Sequence, residues 1–113
     1  GRNLEPPNKL NDVFVVKVDN PSRAYCLLVE ERITGLGLLY ETREVDLDDL
    51  PEMLKVAAEH SPVKHILVVG SRHEATQTIT MTTRRKSGVV EEFREIPLTQ
   101  ALKELQPSGS GGG

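Results

Sequence analysis

The sequence predicts an α+β fold, an antiparallel sheet of about six strands with two helices packed on one face. Three stretches predict it. Residues 49–60 have the spacing of an amphipathic helix, residues 66–69 are an unbroken aliphatic run, and residues 75–83 place a threonine at every second position. The first pattern is typical of a surface helix, and the other two are typical of strands.

Residues 1–11, which contain Pro6 and Pro7, are expected to form a flexible leader. Residues 13–18 are rich in valine and predict the first strand. Asn20 and Pro21 then predict a turn, because proline presets the φ that the second turn position needs.

Residues 23–34 allow two interpretations. The apolar run 24–29 can be a strand paired back onto the first one, or Asn20–Pro21 can begin a helix that ends at Gly35. The tight proline turn and the unbroken apolar run favour the strand. A third strand over residues 36–47 would then lead to the helix.

That helix has clear start and stop signals. Asp49 followed three residues later by Glu52 matches a capping box, and Pro51 suits a first-turn position. Pro62 disfavours helical backbone at the residue before it and so ends the helix. One face is apolar at positions Leu50, Met53, Leu54, Ala57 and Ala58.

The aliphatic run Ile66–Val69, bounded by Pro62 and Gly70, predicts a central strand buried on both faces. Burial of each of these side chains contributes about 1.5–3 kcal/mol. This strand is therefore the expected centre of the core.

The C-terminal part predicts a polar connection at residues 72–74, a hairpin and a short helix. In the strand 75–83 the threonines lie on one side and Ile79 and Met81 on the other. A three-residue loop ending at Gly88 would place Met81 opposite Phe93. Residues 89–96 return, a helix runs from Leu98 to Leu105, and residues 107–113 are expected to be a flexible Gly/Ser linker or tail.

Two short stretches suggest an internal duplication within the single predicted domain, residues 12–106. The run 43–47 is similar to 94–98, and the turn 32–35 is similar to 85–88, so residues 12–61 and 62–106 are candidate repeats. Three strands followed by a helix, in tandem, resemble the layout of PUR-type repeats and PC4-like modules. The resemblance covers most of the chain, rests on no specific motif, and implies binding of single-stranded nucleic acid.

Composition narrows the function classes. The 113 residues have a net charge of −3, with 7 basic and 12 acidic residues in positions 1–60 and 7 and 5 in positions 61–113. The chain contains only four aromatic residues, 2 Tyr and 2 Phe. No apolar run is long enough for a membrane span, and the lone Cys26 favours a reducing compartment, so we expect an intracellular location.

No catalytic constellation is evident. His60, His65 and His73 lack metal-ligand spacing. We interpret His60 and His73 as ordinary loop residues and His65 as an ordinary residue of the buried strand. The acidic cluster 46–52 is explained by helix capping. Gly70 and Ser71 lack the further glycines of a phosphate loop. We therefore expect a non-enzymatic chain without cofactor or metal.

The candidate binding residues are a basic hairpin tip, Arg84, Arg85 and Lys86, and a threonine face, Thr78, Thr80 and Thr82. The sequence favours a binding module of a larger protein that contacts a protein partner or self-associates, because its acidity and few aromatics oppose polyanion binding. The alternative is single-stranded nucleic acid held by the threonine face and the tip.

Overall fold

The structure is a computed structural model that describes residues 4–106. Within this range the chain forms five strands and four α-helices, with a short 3-10 turn over Leu47–Asp49. The elements, in chain order, are β1 (Val13–Lys17), α1 (Arg23–Gly35), β2 (Tyr40–Glu44), α2 (Leu50–His60), β3 (His65–Val69), α3 (Ser71–Thr76), β4 (Thr78–Arg84), β5 (Val90–Pro97) and α4 (Leu98–Leu105).

The strands form one mixed sheet in the order β2-β1-β3-β4-β5. β1 is parallel to β2 and to β3, whereas β4 is antiparallel to both of its neighbours. The predicted α+β class is confirmed, but the antiparallel sheet of about six strands is wrong. The parallel half requires crossover helices, and right-handed crossovers to either side of β1 place α1 and α2 on opposite faces.

The favoured strand over residues 23–34 is also wrong, because this segment is the helix α1. The Ser22 side chain caps it by accepting a hydrogen bond from the backbone N–H of Tyr25, at 3.1 Å. The predicted order of three strands and a helix is therefore absent from the first half of the chain. The proposed duplication and the PUR-type layout lose their basis with it.

The predicted central strand is confirmed, since β3 is the middle strand and is buried along its whole length. Alternate side chains of β1 and β3 supply two cores, one on each face of the sheet. α1 and α4 cover the first core through Val29, Ile33, Ala101 and Leu105. α2 covers the second core through Met53 and Ala57, which pack with Phe14, Val16, Ile66 and Val68.

The helix predicted at residues 49–60 is confirmed as α2, with Pro51 in its first turn. The predicted capping box is not formed, because the Asp49 side chain makes no capping hydrogen bond. At the other end of α2, two carbonyl groups accept hydrogen bonds from a residue of β4, as described below.

Residues 71–76 correct another expectation, because the predicted polar connection is part of the short helix α3. Ala75 and Thr76 therefore belong to this helix, and β4 begins only at Thr78. Gln77 separates the two elements in a left-handed backbone conformation, with φ 56°.

The β4–β5 hairpin agrees with the sequence. Met81 pairs with Phe93 as predicted, and Gly88 in the loop has φ +92°, a value that favours glycine. A register irregularity between Ile79 and Met81 accompanies Glu95, whose φ is 47°. This β-bulge bends the edge strand β5.

Outside these elements, Leu4 packs against the second core, and the backbone N–H of Asn8 donates to the Glu41 carboxylate at 3.0 Å. The predicted tail, residues 107–113, lies outside the described residues. Among residues 4–106, no helix is both long and apolar enough to cross a lipid bilayer.

Candidate functional site

The structure divides the predicted binding residues between the two faces of the sheet. Thr78, Thr80, Thr82 and Arg84 lie on the same face as α2, because they alternate with the buried residues of β4. Arg85 and Lys86 follow β4 and border a pocket beside α4, on the opposite face. The threonine face and the tip residues Arg85 and Lys86 therefore do not form one surface.

Thr80 is the centre of a hydrogen-bond network on the α2 face. Its Oγ1 lies 2.8 Å from Nε2 of His73 and accepts the backbone N–H of Glu95 at 3.2 Å. Nδ1 of His73 accepts the N–H of Gly70 at 3.1 Å, so the proton of the neutral imidazole lies on Nε2 and points to Thr80. This network ties α3, β4 and the bulge of β5 together.

His73 was expected to be an ordinary loop residue, but it is buried in α3. Burial lowers the pKa of His73, an effect that nearby Glu95 opposes and Arg72 reinforces. The neutral imidazole suits the network, because protonation of Nδ1 would place two N–H groups face to face.

A groove of about 470 Å³ lies beside this network, between α2 and β5. Leu47, Leu50 and Leu54 form its apolar wall, and Arg94 and Glu92 lie on its charged wall. These two charged side chains pair with each other at 3.0 Å, and Arg72 pairs with Glu95 at 2.9 Å. The charges of this wall are thus largely neutralised by one another.

Arg84 does not project from the hairpin tip. Its guanidinium donates to the carbonyl oxygen of Ser61 at 3.0 Å and also to that of Ala58. Ala58 lies in the last turn of α2 and Ser61 is the C-cap residue, at a helix end where cations favour the helix dipole and carbonyl groups lack helical partners. Arg84 therefore fastens α2 to β4.

Arg85 bonds to the Glu91 carboxylate of β5 through Nε, at 2.8 Å, and through Nη2. The same Nη2 lies 3.6 Å from Oε1 of Glu104. Lys86 and Lys64 are both exposed, and neither forms an ion pair within the described part of the chain. We call the end of the sheet marked by Lys64, Arg84, Arg85 and Lys86 the basic end.

A pocket of about 360 Å³ opens at the basic end. Lys64, His65 and Thr83 border it from β3 and β4, and Arg85 and Lys86 from the hairpin. Glu104, Leu105 and Gln106 at the end of α4 border it as well, together with Asp12 and Leu38. Three cations thus face two carboxylates around a cavity of the size that holds small ligands.

His65 forms the inner part of this pocket and is only 6% exposed. Its Nδ1 lies 3.0 Å from Oγ1 of the buried Thr83, and its Nε2 makes no hydrogen bond with residues 4–106. Because no buried side-chain nitrogen in this range lacks a partner, Nε2 is open to the pocket. Burial first, and then the charges of Lys64 and Arg85, lower the pKa of His65 to about 4. The imidazole is therefore neutral at pH 7.

Sequence reasoning passed over Lys64, His65 and Thr83. His65 was interpreted as an ordinary strand residue, and the pattern of 75–83 drew attention to the even-numbered threonines alone. The signal that identifies this site is the antiparallel pairing of His65 with Thr83, which a sequence pattern does not contain.

Metal chemistry finds no support in the described range, since His, Cys, Asp and Glu side chains there form no group of three able to hold an ion. Cys26 is buried in α1, as expected of a small core residue, and burial raises the pKa of its thiol.

Solved structures that share this fold include three aminoacyl-tRNA synthetase chains. The RNA binding domain of threonyl-tRNA synthetase from Cryptosporidium parvum Iowa II matches 84% of this chain with a TM-score of 0.58 and 13% identity. Prolyl-tRNA synthetase from Cryptosporidium parvum matches 86% with a TM-score of 0.56 and 14% identity, and histidyl-tRNA synthetase from Nostoc sp. PCC 7120 matches 88% with a TM-score of 0.55 and 19% identity.

The chain spans 22% of the length of each of these three chains. At these identities the likeness shows a shared fold. No protein-family model matches the sequence, and no curated protein matches it either.

Proposed function

We propose that this chain is a non-catalytic binding module of a larger protein, and that its ligand is single-stranded RNA held at the basic end. The observation that carries the proposal is the grouping of Lys64, Arg85 and Lys86 around one pocket in a chain with a net charge of −3. Local positive charge on an acidic chain directs a polyanion to one place.

The fold supports the choice of RNA over a protein partner. A structure with the same fold is described as an RNA binding domain, and this chain corresponds to about a fifth of that longer protein. A domain of this size with no catalytic constellation suits an accessory role inside such a protein. RNA is thus preferred over a protein partner, whereas composition alone favours the protein partner.

Contact with phosphate accounts for the ligand better than stacking does. Of the four aromatic rings, Phe14 and Tyr25 are buried, and Phe93 and Tyr40 are partly buried against the first core. A strand bound without stacking platforms is held mainly by its backbone, so we expect weak sequence preference and strong salt dependence. Arg84 supports the end structurally, and Lys64, Arg85 and Lys86 are the proposed contacts.

Fluorescence anisotropy with a labelled single-stranded RNA of about twelve nucleotides, a span typical of one small binding domain, tests this proposal. Three phosphate contacts predict that the logarithm of the binding constant falls with the logarithm of salt with a slope of about −2. Replacing both Lys64 and Lys86 with Glu should lower the affinity at least tenfold.

Arg23→Glu is the matched control, because Arg23 is exposed at the opposite end of the sheet, in the first turn of α1. It reverses one charge without touching the basic end and should change the affinity less than twofold. Equal losses in the control and in the lysine variant would refute a localised site.

A protein partner at the groove is the second candidate, and one observation favours it. Leu47 is 59% exposed and continues the apolar wall formed by Leu50 and Leu54, beside the threonine face of Thr80. Exposed apolar side chains at a groove are typical of interaction sites. If the chain self-associates there, Leu47→Ser should abolish the dimer in sedimentation velocity, whereas Leu39→Ser, at a similarly exposed leucine outside the groove, should not.

A further inference from the structure

We propose that the pocket at the basic end binds a phosphate monoester, and that in an RNA ligand this group is the terminal phosphate of the strand. The second part rests on the proposed function. The first part stands on the pocket itself and would hold equally for a free nucleotide.

The inner wall of the pocket presents a polar group that the protein leaves without a partner. His65 is 6% exposed, and its Nε2 has no hydrogen bond within the described range. No buried side-chain nitrogen or oxygen among residues 4–106 lacks a partner, so this Nε2 is not enclosed in the core but faces the pocket, where a ligand or water can bond to it.

Thr83 decides what this nitrogen offers. The Thr83 hydroxyl lies 3.0 Å from Nδ1 and can either accept from it or donate to it, and when the hydroxyl donates, the imidazole proton lies on Nε2. In this tautomer the neutral His65 presents an N–H donor to the pocket. A phosphate oxygen accepts from such a donor without any need for the histidine to be charged.

The rim supplies the charge. The ammonium groups of Lys64 and Lys86 have no carboxylate partner among residues 4–106, and the carboxylate of Asp12 already accepts the backbone N–H of Leu39 at 2.9 Å. Arg85 holds Glu91 closely but Glu104 at only 3.6 Å. The pair formed by Arg85 and Glu104 is therefore weaker than the pair formed by Arg85 and Glu91. Glu104 is the acid that a bound anion would displace.

These features favour a monoester over an internal phosphodiester. A monoester has three terminal oxygens and a charge of about −1.5 to −2 at pH 7, which matches three surrounding cations and one N–H donor. Strands β3 and β4, the hairpin and the end of α4 all border the pocket. A chain end can enter such a recess, whereas an internal phosphate must pass with nucleotides on both sides.

The test compares matched ligands on the intact chain. Three RNA strands of one sequence carry hydroxyls at both ends, a 5′-phosphate, or a 3′-phosphate, and uridine 5′-monophosphate, uridine and inorganic phosphate serve as competitors. We expect one phosphorylated strand to bind roughly tenfold more tightly than the hydroxyl strand, the effect of one charge-assisted contact set. The monophosphate should compete, and uridine should not.

Two surface variants keep the test independent of folding. Lys86→Ala should reduce the preference for the phosphorylated strand, and Glu104→Gln should strengthen monophosphate binding by up to about fivefold, because it removes a competing surface carboxylate. Lys103→Ala is the control, since Lys103 is exposed on α4 and does not border the pocket. In imidazole NMR spectra, the monophosphate should raise the pKa of His65 and leave that of His73 unchanged.

The outcomes separate the two proposals. If all three strands bind equally and the monophosphate does not compete, the monoester site is refuted while RNA binding stands. If monophosphate and inorganic phosphate bind at His65 but no strand binds, the monoester site stands and the RNA proposal fails. If neither strands nor monophosphate bind, both are refuted.

Discussion

The two ends of the sheet differ in whether their polar side chains have bonding partners within the protein. Near the carboxyl ends of β1 and β3, Asp19 accepts from Ser71 at 2.7 Å, and Glu74 accepts from the backbone N–H and the hydroxyl of Ser22 at 2.7 and 2.6 Å. At the basic end, by contrast, Nε2 of His65 and the ammonium groups of Lys64 and Lys86 have no partner in residues 4–106.

This difference indicates which end of the sheet has polar groups available to a ligand. Open α/β sheets usually bind ligands outside the carboxyl ends of their strands, at the point where the connections diverge. Here that place lies next to α1, and Glu74 occupies the helix N-terminus where an anion would otherwise bind. The groups at the basic end remain available, so we expect the ligand to bind there.

We expect the largest loss of stability from a substitution in β3, the central strand that runs between the two ends of the sheet. Val68 is 6% exposed in the second core, and Val68→Asp would bury an unpaired charge. We expect more than about 4 kcal/mol of lost stability and an unfolded chain by circular dichroism. Val90→Asp, at a position that is 51% exposed on β5, should melt near the wild-type temperature.

A substitution at Gly70, which directly follows β3, should destabilise the fold at the carboxyl ends of β1 and β3 alone. A Cβ at this residue would lie 3.0 Å from the carbonyl oxygen of Val18 and 3.3 Å from its Cγ2. Because the backbone oxygen cannot move aside, Gly70→Ala should cost about 2–3 kcal/mol in urea denaturation. Gly35→Ala is the control, since nothing lies within 4 Å of its Cβ position, and it should be neutral or stabilising. RNA binding by the folded fraction of Gly70→Ala should not change.

Thr80→Val measures how much the hydrogen-bond network around Thr80 stabilises the fold. The change removes the acceptor of two N–H groups, those of His73 Nε2 and the Glu95 backbone, and should cost about 1–3 kcal/mol. Thr82→Val is the matched control on the same face of β4, where the hydroxyl makes no hydrogen bond with the described residues. A similar loss in both variants, measured by chemical denaturation, would contradict the structural role of the network.

The pH dependence of stability tests the two buried histidines, His65 at the basic end and His73 near the opposite end of the sheet. The pKa of His65 is lowered to about 4 and that of His73 is lowered as well, so the unfolded chain takes up these protons at higher pH than the folded chain. The contribution of the two neutral histidines to the free energy of unfolding should therefore be fully present above about pH 6.5 and decline as the pH falls toward 4. After allowance for solvent screening, His65 should account for about 1 kcal/mol between pH 7 and pH 5, and His65→Phe, if folded, should remove that part.

Much of the fold could be predicted where local pattern and tertiary packing agree. The helix after Asp49, the aliphatic run Ile66–Val69 and the pairing of Met81 with Phe93 follow from short-range signals. The segment 23–34 could not be decided this way, because the apolar run fits a strand as well as a helix. What selects the helix is the parallel pairing of β1 with β2, which requires a crossover between them.

The candidate site could be predicted only in part. Arg85 and Lys86 were identified from their density of charge, but Arg84, identified with them, bonds to the carbonyls at the end of α2. Lys64, Thr83 and Glu104 lie far apart in the sequence, and the order of the strands brings them together. Such a site depends on register and strand order, which single-sequence patterns do not determine.

A chemical-shift map of the amide groups, recorded during titration with a short single-stranded RNA, shows directly where the ligand binds. If RNA binds at the basic end, the shifts concentrate at residues 64–65, 83–88 and 104–106 and vanish at high salt. Leu47, Leu50, Leu54 and Arg94, which line the groove, should remain unshifted. Shifts centred on the groove, with residues 64–65 and 83–88 unchanged, would contradict binding at the basic end.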